Sequence, residues 1–347
     1  MKKHFSLIVF CISVALLVCL YFAAIILYSV TGLNILYSVL FTIAGAVAFY
    51  LIHNIIHESF HALFAVLSGG KVTAISFCMF KIDFLRKKVF FKPSAVYAGW
   101  TSFLSKKPQN AEKVLKSSLA GGFVGSCLSL IIAALLGLFL RNPFSFAFFV
   151  SGGIPACLYM LVVNFVPLVD GNDGSLLFVG GESIAAAAEK IETESNLYLG
   201  KPLAEIFPLT LEKKYGKRYP TIYDAWYFLS LKDVGTAKAV LNGLIKNNSD
   251  NEVIAPLTER FFIACIENDE KKVNELKEKV ECFFDDSEEL FALRAHAAYR
   301  LFTGEKEWNK AIEKTYRRVS SDYPISGLKK TDNAIFNEYL SDLLSLD

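Results

Sequence analysis

Charge is what the first part of this 347-residue chain lacks: no Asp, Glu, Lys or Arg occurs between His4 and His57. An uncharged run of that length excludes an ordinary soluble N-terminal domain, whose outer faces need charged side chains. Seven cysteines, at 11, 19, 78, 127, 157, 265 and 282, form no C-x-x-C and no even framework. That pattern suggests neither a disulfide scaffold nor a thiolate zinc site. Histidine is scarce, yet three of the five, His53, His57 and His61, recur at spacing four.

What is present points to a membrane. The composition is 53% hydrophobic with a mean hydropathy of +0.39, well above a soluble average. The net charge is only +2, and no nucleic-acid partner is expected, but the charge is unevenly placed. Residues 71–116 carry ten Lys/Arg against Asp83 and Glu112, whereas residues 175–347 carry 23 against 29 acids.

Four apolar runs are long enough to span a bilayer, at about 5–30, 34–67, 117–140 and 144–169. The first, after Met1-Lys2-Lys3-His4, is longer than a signal-peptide core and has no clear small-x-small cleavage site, so it reads as a retained helix. The basic loop 71–116 belongs on the cytoplasmic side, which puts both termini there. Its Val72–Lys92 part, rich in β-branched and aromatic residues, reads as a β-hairpin. The expected fold is therefore mostly α: a four-span transmembrane domain over 1–175 with a small β-hairpin insertion, then a soluble helical domain over 176–347. In that second domain, helix breaks near Leu231, Ile266 and Phe302 are 35 and 36 residues apart, close to the tetratricopeptide period. Such helical repeats suit a protein partner or packing against the chain's own membrane domain.

The second run ends in His57-Glu58-Ser59-Phe60-His61, an H-E-x-x-H sequence. On a helix the two imidazoles share a face and can hold one zinc ion, with Glu58 placed to act as general base on a bound water. An acid in an apolar membrane segment is costly and marks a function. His53, one turn earlier, reads as a polar residue facing another helix. A catalytic zinc needs a third protein ligand, and the last span closes on Asn164-Phe165-Val166-Pro167 followed by Asp170-Gly171-Asn172-Asp173-Gly174.

The H-E-x-x-H stretch continued by Ala62-Leu63 and Gly69-Gly70-Lys71-Val72, with the later Asn164-x-x-Pro167 and an Asp-Gly pair, resembles the site-2 protease family of intramembrane zinc metalloproteases over about residues 35–180. The family usually has Gly where this chain has Phe60. The resemblance implies zinc ligands His57, His61 and an aspartate. Asp173, nine residues after Asn164, fits the family spacing better than the alternative Asp170. It further implies Glu58 as the base, Asn164 as a substrate or oxyanion contact, and transmembrane or signal-peptide-like proteins as substrates. The competing readings are a membrane H-E-x-x-H protease of another type, with Glu182 as third ligand, and a catalytically inactive membrane-anchored scaffold that recruits partners through its C-terminal helices.

Overall fold

The computed structural model describes residues 32, 34–91, 97–140, 142–167, 172–179, 181–210, 220–247, 254–281, 284, 289–304 and 309–340, with Ala15, Val18, Phe22, Ile26 and Ser29 as isolated positions. The expected first span lies almost wholly outside these residues, and so does Asp170. The chain is mostly helical with one small antiparallel sheet, and it divides into two compact units, Met1–Glu192 and Thr193–Asp347.

Among the described residues, three helices of the first unit are long and apolar enough to cross a membrane, Ile35–Leu67, Pro108–Phe139 and Pro143–Phe165. Helix α1 (Ile35–Leu67) starts at Asn34, whose side chain accepts from Leu36 N–H. Its buried residues recur every three or four positions, and most of them are polar or small: Ser38, Thr42, Gly45, His53, Asn54, His57, Glu58, His61 and Ala65. The exposed positions are apolar instead, among them Leu36, Leu40, Ile43, Val47, Leu51, Ile55 and Leu63. That is the inverse of a soluble amphipathic helix and suits a lipid exterior.

Helix α2 (Ala111–Phe139) faces α1 with small residues, Ser118, Gly121, Gly122, Gly125, Ser126 and Ser129. Small side chains at this spacing let two membrane helices approach backbone to backbone. Helix α3 (Pro143–Phe165) is π-wound over Phe146–Gly153. Pro155, just beyond, has no N–H to donate to the preceding turn, which favours that wider winding. The sequence places the last two spans at 117–140 and 144–169. The first of these helices begins six residues earlier, at Ala111. The other stops at Phe165, because Val166 is extended ahead of Pro167.

The insertion between α1 and α2 is larger than a hairpin. Strands β1 (Gly70–Cys78), β2 (Phe80–Asp83), β3 (Lys88–Phe91) and β4 (Tyr97–Ser105) form an antiparallel sheet in the order β3-β2-β1-β4. Ile75 pairs with Ile82 on β2 and with Thr101 on β4. Strand β4, which hydropathy alone leaves in a polar loop, thus becomes one edge of the sheet, and its Gly99 and Thr101 bond to α1.

The second unit is helical throughout its described residues. Helix α4 (Glu182–Tyr198) crosses the division between units, and α5 (Leu203–Thr210) follows it. Then come α6 (Ile222–Ser230) with α7 (Val234–Asn247), α8 (Ile254–Ile266) with α9 (Glu270–Val280), α10 (Leu290–Phe302) with α11 (Asn309–Ser321), and α12 (Ser326–Tyr339). The tight turns carry left-handed Lys232 and Asn268, after which Asp233 and Asp269 accept from the N–H groups of Thr236 and Lys272. Its apolar core encloses one ionic network. Arg294 is fully buried and bonds to Glu259 at 2.8 Å and Asp332 at 3.1 Å, while Trp226 Nε1–H donates to Glu259 and the Tyr316 hydroxyl to Asp332. Burial pushes the Tyr316 hydroxyl's pKa up, and the neighbouring Asp332 charge adds to it.

Candidate metal centre

Two imidazoles and a carboxylate converge at the inner face of α1. His57 Nε2 lies 3.0 Å from His61 Nε2, Asp173 Oδ2 lies 3.1 Å from the first and 2.9 Å from the second, and both histidines are buried. The pairing of the histidines follows from their i, i+4 spacing on a helix. Asp173 is brought in by Asn172, which bridges two chain ends. The Asn172 Nδ2 group donates to the carbonyls of Val163 and Val166 at the end of α3, and its Oδ1 accepts from Ser175 N–H.

Second contacts fix the protons. His57 Nδ1 lies 3.1 Å from the carbonyl oxygen of Gly122 and 2.9 Å from Ser126 Oγ. A carbonyl can only accept, so Nδ1 carries the hydrogen and Nε2 of the neutral ring is a bare lone pair. Ser118 Oγ donates to the carbonyl of His61 at 3.1 Å and faces His61 Nδ1 at 3.3 Å, which leaves that ring's Nδ1–H as donor and its Nε2 bare as well. Three acceptor atoms at about 3 Å repel one another unless a cation or proton lies among them. Tetrahedral coordination at 2.0–2.1 Å places donor atoms about 3.3 Å apart, close to the triangle seen. The residues fit a small divalent cation.

His53 stands behind this centre. Its Nδ1 is 2.7 Å from Ser129 Oγ and its Nε2 is 3.3 Å from Ser126 Oγ, so it does face another helix, through the same serine that holds His57. Gly122 has a further part. A Cβ there would collide with the His61 ring, so only glycine lets α2 lie this close.

Glu58 sits beside the triangle. Its Oε1 is 3.9 Å from His57 Nε2, and its Oε2 accepts from the Thr101 hydroxyl at 2.7 Å. Gly99 is the second obligatory glycine, since a Cβ there would lie 2.8 Å from Glu58 Cδ and Oε1. These groups, with Asn54 and Asn164, line one cavity of about 280 Å³. Of the sequence candidates, the structure brings together His57, Glu58, His61, Asn164 and Asp173. Asp170 falls outside the described residues, and Glu182 opens α4 with its side chain undescribed. Sequence reasoning missed Asn54, Gly99, Thr101, Ser118, Gly122 and Ser126. The serine and glycine spacing along 118–126 was a readable signal for three of them.

Comparisons with protein-family models, curated proteins and solved structures give no match for this chain.

Proposed function

We propose that the chain is an intramembrane zinc metallopeptidase that hydrolyses peptide bonds of membrane-embedded substrates near the cytoplasmic face. One observation carries the reading: His57 Nε2, His61 Nε2 and Asp173 Oδ2 meet within about 3 Å beside the Glu58 carboxylate. Two imidazoles and one carboxylate with an open fourth position are a donor set of catalytic zinc. A zinc ion held by them would lower the pKa of a water and polarise a carbonyl.

The chain's own groups supply the rest. Thr101 holds Glu58 Oε2, which leaves Oε1 turned toward the cavity as proton acceptor. Oε1 takes a proton from the attacking water as the new C–O bond forms, and returns it to the amide nitrogen as the C–N bond breaks. Asn164, on the same cavity wall, is placed to hold the substrate carbonyl.

The topology in this proposal has four spans, with the basic 71–116 segment and both termini on the cytoplasmic side, in a membrane of the bacterial cytoplasmic type. The helical pairs of Thr193–Asp347 act as tetratricopeptide-like units that engage a protein partner. Substrates are transmembrane or signal-peptide-like segments, whose helix must unwind to reach the cavity.

The test is paired. Purified protein should hold close to one zinc per chain, and Glu58→Gln should keep that zinc while losing cleavage at least a hundredfold in a membrane-proteome comparison. Zinc well below one per chain, or unchanged cleavage by Glu58→Gln, refutes the peptidase reading and leaves the scaffold.

A further inference from the structure

One polar group on the cavity wall has no partner. Asn54 lies three residues before His57 and four before Glu58, is 1% exposed, and lines the same cavity as the metal-binding triangle. Its Oδ1 accepts from Gly99 N–H at 3.3 Å. That bond fixes the orientation of the amide, because an NH2 group cannot accept from an N–H. The other amide atom, Nδ2, is buried with no hydrogen-bond partner.

An unpaired buried donor is costly, and at a position this buried an apolar side chain would carry no such cost. Its surroundings suggest what it serves. Positions 54 and 58 are one helical turn apart, about 6 Å, and residues 99 and 101 of an extended strand are separated by about 6.7 Å. Strand β4 therefore runs alongside α1 in matched steps, Gly99 on Asn54 and Thr101 on Glu58. The first clip holds an amide donor one turn away from the carboxylate that the second clip holds.

We propose that Asn54 is a substrate-positioning residue: its Nδ2 donates a hydrogen bond to a backbone carbonyl oxygen of the bound peptide, about two residues from the scissile bond. The distance follows from the 6 Å turn and the ~3.3 Å per residue of an extended peptide. The ligand class follows from the setting. A segment unwound inside a membrane loses its own i→i+4 bonds, so its carbonyls are acceptors without water. This inference rests on the peptidase reading, and it adds a contact that neither the metal centre nor Glu58 provides.

Two inhibitors separate the possibilities in the zinc-loaded full chain in detergent at pH 8. Acetohydroxamate reaches the metal alone, whereas a peptidyl hydroxamate carrying two further backbone amides extends along the cavity. Asn54→Asp keeps an acceptor for Gly99 N–H and removes the donor; Asn54→Ala removes both. Titration calorimetry should show the peptidyl hydroxamate weakened about tenfold in both variants, with acetohydroxamate affinity and zinc content unchanged. Retention of tight peptidyl binding by Asn54→Asp overturns the proposal, whatever Asn54→Ala does. Loss of both inhibitors in both variants makes Asn54 a structural residue and overturns it equally. A parent protein that binds neither hydroxamate refutes the peptidase reading itself, and this inference falls with it.

Discussion

Replacing Gly122 by alanine tests the centre through a residue that no ligand search would choose. The added Cβ would lie 2.9 Å from Cδ2 of His61 and nearer still to Nε2 and Cε1 of that ring. Carbon atoms in contact sit about 3.5–4.0 Å apart, so the imidazole must retreat by roughly 1 Å. Retreat of α2 instead would break the close packing of Gly121 and Gly125 on Phe60, and it would also carry the Gly122 carbonyl away from His57. A metal site tolerates about 0.2 Å in its bond lengths, and changes behind a ligand usually cost 10–100-fold in affinity. That range corresponds to about 1.4–2.7 kcal/mol. Zinc affinity of Gly122→Ala, read by competition with a chromophoric chelator, should fall within or beyond it. Gly243→Ala is the control: a Cβ there meets nothing within 4 Å, so zinc affinity should be unchanged. Parent-like zinc binding by Gly122→Ala would refute the convergence of His57, His61 and Asp173 on one ion.

Ser126→Ala removes the hydroxyl that joins His57 to His53, and zinc affinity should drop about tenfold, less than for Gly122→Ala because the Gly122 carbonyl still holds Nδ1. Thr101→Val frees Glu58 Oε2 without changing side-chain size; turnover should fall about tenfold at constant zinc content, as measured on a cleaved substrate. In the second unit the Tyr223 and Tyr316 hydroxyls are held above their ordinary pKa, both chiefly by burial, with Glu194 beside one and Asp332 beside the other. The unfolded chain then gives up these protons first. Stability is therefore intact below pH ~10 and declines as pH rises beyond it, by about 1.4 kcal/mol per pH unit for each tyrosine. Denaturant melts followed by near-UV dichroism should show this slope, and Tyr316→Phe should remove about half of it.

The long apolar helices were legible in the sequence because absence of charge is a property of each residue, independent of packing. So was the shared face of His57 and His61, which local helix geometry dictates. The sheet was half legible. Val72–Lys92 is rich in β-branched and aromatic residues, but Tyr97–Ser105 contains Gly99 and is a strand only because β1 supplies its partner from far along the chain, as in Gly70 with Ser105. Asp173 was reachable only through its distance from Asn164. What places it is the Asn172 side chain bonding to two chain ends, and no local pattern encodes that. Thr101, Gly99 and Asn54 escaped notice for the same reason, since their contacts cross between α1 and β4.

Phe60 shows how the two faces of the problem are solved together. The motif helix carries the bulky Phe60 on the side that meets α2. Here the approach is provided from the opposite side, by Gly121 and Gly125 of α2, whose missing side chains leave the space that the Phe60 backbone and ring occupy. Between and beyond them, Ser118, Gly122 and Ser126 use the same closeness for a second purpose, offering hydroxyl and carbonyl oxygens to His61 and His57. A stripe of leucines would bury as much surface against lipid. It would hold the helices too far apart for a backbone carbonyl to reach an imidazole, and both rings would lose the bonds that fix their protons on Nδ1. In an apolar helix the close packing of α1 on α2 and the metal-ready state of the two histidines are therefore one structural requirement, written in small residues on α2.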